Sequence, residues 1–60
     1  MTVETATIKA QALFDQLGPK AIAAAARRAA EAESAGHAEE ATLWRRIEEI
    51  CKELRGNRES

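Results

Sequence analysis

Between Pro19 and Ala35 the chain carries nine alanines and a single large apolar side chain, Ile22. Alanine is the best helix former, so the stretch predicts a helix. A buried alanine methyl gains far less than the ~1.5–3 kcal/mol of a buried leucine, however, so such a helix cannot hold itself in place. The bulk must come from a neighbour. Ile22, Ala25, Ala29, Ala32 and Gly36 recur at spacings of three and four, with Ala26 and Ala30 alongside. That spacing makes a seam of small residues on one helix face, against which a bulky partner helix can approach the backbone closely.

The segment's borders are equally legible. Gly18 followed by Pro19 reads as a stop and a start, since glycine suits the left-handed position just past a helix and proline suits the first turn of the next. Gly36 marks a second break, and Gly56 begins a polar run to Ser60. Three helices are expected, over residues 3–17, 19–35 and 38–55, in one helical domain spanning 1–55, with a disordered polar tail over 56–60.

In the first helix Val3, Ala6, Ala10, Leu13 and Leu17 fall on one face with Phe14 beside them, and Ile8 lies opposite. In the third, Ala41, Leu43, Trp44, Ile47, Ile50, Cys51 and Leu54 form a wide apolar stripe. The short Gly36-His37 connection leaves little choice but antiparallel pairing of the second and third helices. The fold class expected is all-α, three helices with an antiparallel hairpin of helices 2 and 3, in a dimeric helical bundle, helix 1 packing in cis or exchanged between subunits.

Composition supports this. Of 60 residues, 45% (27) are hydrophobic, and 14 of those are alanine, leaving 27 − 14 = 13 larger ones. The aromatics are Phe14 and Trp44, too few for a β sandwich or barrel. A chain of this length buries only about 60% of the surface it exposes when unfolded. The wide apolar faces of helices 1 and 3 would stay partly wet in a monomer, so self-association into a homodimer is the expected remedy.

The net charge of −1 supplies no global field for nucleic acid or an anionic membrane. One cysteine forms no internal disulfide, which fits a reducing, cytoplasmic setting. The first residues lack an uninterrupted apolar run, so no secretory signal is expected, and no apolar stretch reaches the ~18 residues of a spanning helix.

Candidate chemistry is sparse. His37 stands three residues before Glu40 at a helix start, a spacing that can bring both to one metal, but a third ligand would have to be Cys51, about four turns away. The simpler reading seats His37 in the turn or at the N-cap, with Glu39 and Glu40 complementing the helix dipole. Cys51 falls on the apolar stripe, as a small hydrophobe with a raised pKa. No histidine is placed to activate it and no glycine-rich phosphate loop exists, so an enzyme is not expected. No cofactor or metal is expected either.

The doublets Arg27-Arg28 and Arg45-Arg46 are the basic features able to touch phosphate, but acids interleave them. Arg27 with Glu31, Arg45 with Glu49 and Glu48 with Lys52 all stand at i,i+4 and are expected to form a solvated, ion-paired face. Trp44 is either the largest core side chain or, at the rim, an anchor for a partner.

From Gly18 onward the pattern Gly18-x-x-Ala21, Arg27, Ala35-Gly36, Ala41, Trp44 with Arg45 and Ile47, then Leu54 resembles a group of short, uncharacterised α-proteobacterial helical proteins, a domain of unknown function. Their shared core is a Gly-Asp turn followed by a helix bearing Trp-(Arg/Lys)-x-Ile. The likeness covers residues 18–54, with His37 in place of the aspartate. It implies a helical fold and no known activity. The hairpin and size also resemble, at the level of fold alone, small dimeric four-helix bundles that modulate plasmid RNA pairing.

The expected function is a non-enzymatic helical module that binds itself, and beyond itself another protein, through Leu13, Phe14, Leu17, Leu43, Trp44, Ile47, Ile50 and Leu54. A small nucleic-acid-binding regulator using Arg27, Arg28, Arg45 and Arg46 is the alternative. A metal or small-ligand carrier built on His37, Glu40 and Cys51 is a third.

Overall fold

A computed structural model describes residues 3–57, and their side chains from 5 to 56. Three helices follow one another: α1 (Val3–Leu17), α2 (Lys20–Ser34) and α3 (Ala38–Asn57). No strand occurs among the described residues. The all-α expectation holds, and α2 and α3 pack closely as a helical hairpin. The borders shift slightly. Pro19 and Ala35 are caps rather than helical residues. At the far end Gly56 and Asn57 continue α3 instead of opening a disordered tail, and the rest of that tail lies outside the described residues.

Both expected glycine breaks are real, and for the reason the sequence suggests. Gly18 and Gly36 have φ of 62° and 80°, the left-handed region that glycine enters without steric cost. At the end of α1 the Gly18 amide donates to the Phe14 carbonyl at 2.7 Å. At the end of α2 the His37 amide donates to Ala32 at 2.8 Å and the Gly36 amide to Glu33 at 3.1 Å. This nested pair is a Schellman motif, which satisfies carbonyls the helix end would otherwise orphan. Pro19 (φ −59°) leads directly into α2, its missing N–H being one no helix would have used.

The core is small-on-large, as an alanine helix requires. Ala21, Ala25, Ala29 and Ala32 of α2 are buried. Ala21 thus belongs to the seam at which Gly36 and Ala30 were expected, and both of those are exposed. Ile22 is half-buried at its edge. Against the seam α3 sets Ala41, Ile47 and Cys51, with Ile47 and Cys51 wholly enclosed.

From α1 come Ala6, Ala10 and Phe14, a row of i,i+4 neighbours. The inward face of α1 is therefore centred on Phe14, while Leu13 is half-buried and Leu17 is 41% exposed. Leu17 stands in the last turn, beyond which Gly18 bends the chain away. Ile8, 64% exposed, sits on the outer side as expected. The Val3 side chain lies outside the described residues.

Candidate interaction surface

Helix α3 divides its apolar residues into two sets. Ile47 and Cys51 face inward and are sealed off. Leu43, Ile50 and Leu54 touch the same core but remain partly exposed, as does Trp44. At 100° per residue, Ile47 separates two edges of the helix: Trp44 lies on one side, and Leu43, Ile50 and Leu54 follow one another along the other. The second edge is a continuous apolar strip about 16 Å long at 1.5 Å per residue.

Two charges border this strip. Arg46 and Glu53 are exposed and stand seven residues apart on its outer margin, two helical turns or about 10 Å. Arg46 reaches Glu49 only at 4.0 Å. Among the described residues Glu53 has no ion pair.

The eight apolar residues expected to share one surface differ in burial. Phe14 and Ile47 are core residues, enclosed by their own chain and closed to a partner. Leu13 and Leu17 stay on α1, whereas Leu43, Ile50 and Leu54 form the strip on α3. Trp44 lies at the rim with the Arg28 guanidinium over its ring, 5.1 Å from the centroid, within the range of a cation–π contact. That contact joins α2 to α3 and shields one side of the indole.

Of the four arginines, three have contacts within the chain: Arg28 with Trp44, Arg45 with Glu33 and Glu48, and Arg46 with Glu49. Arg45 donates to Glu33 of α2 and to Glu48 of α3, each at 3.2 Å. The Glu33 bond, then the Glu48 bond, hold its pKa above the ordinary guanidinium value. This cross-helix pair replaces the expected Arg45–Glu49 contact. Lys52 meets Glu48 at 3.5 Å as expected, so Glu48 is flanked by two cations. Arg27 and Glu31 form no ion pair.

His37 occupies the turn, as expected. Its carbonyl accepts the first α3 bond from the Ala41 amide at 2.9 Å, and its Nδ1 lies 3.4 Å from Glu40 Oε2. Cys51 is far from that pair in the fold. Its buried thiol points at α1 and donates to the Ala10 carbonyl at 3.7 Å, and burial pushes its pKa up. Among the described residues no three metal-ligating side chains come together, and no helix is long and apolar enough to cross a membrane.

No protein-family model, curated protein or solved structure matches the chain.

Proposed function

We propose that the protein is a non-enzymatic helical interaction module that associates with a second protein surface through the Leu43, Ile50 and Leu54 strip of α3, a second copy of itself being the first partner to consider. One observation carries this reading. Among the larger aliphatic side chains described only Ile47 is fully enclosed, while three on a single helix edge lie half-wet in line. A chain this short gains most by covering such a strip, because each half-buried leucine still has apolar area to remove from water.

The unpaired, deeply buried cysteine supports a reducing, cytoplasmic location for this module. The arginines support a nucleic-acid reading less well, since Arg45 is held by two carboxylates and Arg28 by an indole ring.

Sedimentation of Ile50→Glu beside Ile8→Glu tests the proposal. A charge at position 50 should abolish association, whereas one at the outward position 8 should not. Equal behaviour of the two variants would overturn it.

A further inference from the structure

Resting on that reading, we infer that the strip takes a second copy of this chain, with the two α3 helices antiparallel across a two-fold axis beside Ile50. The charges bordering the strip select this arrangement. Arg46 and Glu53 stand on one margin of one helix, opposite in sign and two turns apart. When two such helices run antiparallel, position 46 of each lies beside position 53 of the other, so Arg46 meets the partner's Glu53 twice, once on each side of the axis.

The same register brings the two Ile50 side chains together near the centre and leaves Leu43 and the partner's Leu54 about two residues, or ~3 Å, out of level along the axis. Apolar and charged layers thus agree on one alignment to within about one helical residue in the position of the axis. A parallel second copy would instead carry this margin to opposite sides of the contact in the two helices, so neither Arg46 nor Glu53 would meet its complement.

The two charged residues are available for this. Arg46 is exposed with one distant contact, at 4.0 Å, and Glu53 is exposed and unpaired among the described residues. The neighbouring charges of α3 are already committed elsewhere: Arg45 to Glu33 and Glu48, and Lys52 to Glu48. The margin that would face a partner therefore carries the uncommitted pair, and the margin toward α2 carries the satisfied ones.

The test is a charge exchange read by sedimentation velocity on the full chain, with circular dichroism confirming that each variant stays helical. Arg46→Glu alone sets a carboxylate at position 46 against the partner's Glu53 and should weaken self-association about tenfold. Glu53→Arg alone should do the same. Carrying both changes in one chain should restore association, and so should mixing the two single variants, because each then meets its complement.

A dimer that tightens or weakens without regard to these four combinations would overturn the antiparallel register while leaving the strip as the contact. A chain that stays monomeric at all concentrations, in every variant and in the original, would overturn self-association itself. Binding of Ile50-containing but not Ile50→Glu chain to a different protein, with the chain monomeric alone, would keep the strip and reject the second copy.

Discussion

The thiol of Cys51 on α3 lies 3.7 Å from the carbonyl oxygen of Ala10 on α1, and both residues are completely enclosed. The contact is possible because position 10 carries only a methyl group, so the backbone of α1 itself becomes part of the wall against which α3 packs. Larger side chains at position 10 must push the helices apart. Ala10→Leu is expected to cost about 1–3 kcal/mol, seen as a lower denaturation midpoint with little change in the slope of the transition.

The same thiol makes stability fall at alkaline pH. Burial holds its pKa above the ordinary thiol value, so below that ordinary value the thiol is protonated whether the chain is folded or not, and pH has no effect through it. Above it, the unfolded chain loses the proton first, and stability declines until pH passes the raised value of the folded state. Urea titrations at neutral and alkaline pH should show this decline, and Cys51→Ala should remove it. A thiol reagent should react with the native protein no faster than the structure opens.

Two glycine substitutions should have opposite signs. Gly36 holds a φ of 80° in the Schellman turn, so Gly36→Ala forces a side chain into the left-handed region and should cost about 1–2 kcal/mol. Gly56 lies within α3 with no positive φ and open space around it. Gly56→Ala should therefore raise the melting temperature slightly, by up to about 1 kcal/mol of added stability at a fraying helix end.

The Arg28 guanidinium over Trp44 has an optical readout. Arg28→Ala uncovers one side of the indole, so Trp44 emission should move to longer wavelength while helicity persists, with a loss of about 0.5–1 kcal/mol. Arg28→Lys should recover part of that loss, since the charge returns without the planar group.

The helix borders were legible because they depend on single residues with strong backbone preferences: Gly18, Pro19 and Gly36 act where they stand, whatever the rest of the chain does. The alanine seam was legible at Ala25, Ala29 and Ala32 for a similar reason, since periodicity alone defines a face. What periodicity leaves open is the rotation of that face toward a particular neighbour. In α1 the rows Ala6-Ala10-Leu13-Leu17 and Ala6-Ala10-Phe14 differ by about 100° at most, and the choice falls to Phe14 because the ring fills space that the alanines of α2 leave empty.

The same limit governs the surface. A stripe on α3 was visible, but its division into the buried Ile47 and Cys51 and the wetter Leu43, Ile50 and Leu54 depends on where α1 sits. The Arg45–Glu33 bridge, twelve residues apart in sequence, depends on the register between α2 and α3. No local spacing encodes either.

Self-association through α3 is tested most directly by the solution mass of the unmodified chain, taken by light scattering over a dilution series from millimolar to sub-micromolar. The mass should fall from twice 6.5 kDa toward 6.5 kDa as the dimer dissociates by mass action. A constant mass of one chain across the whole series, with the helices intact, would contradict it.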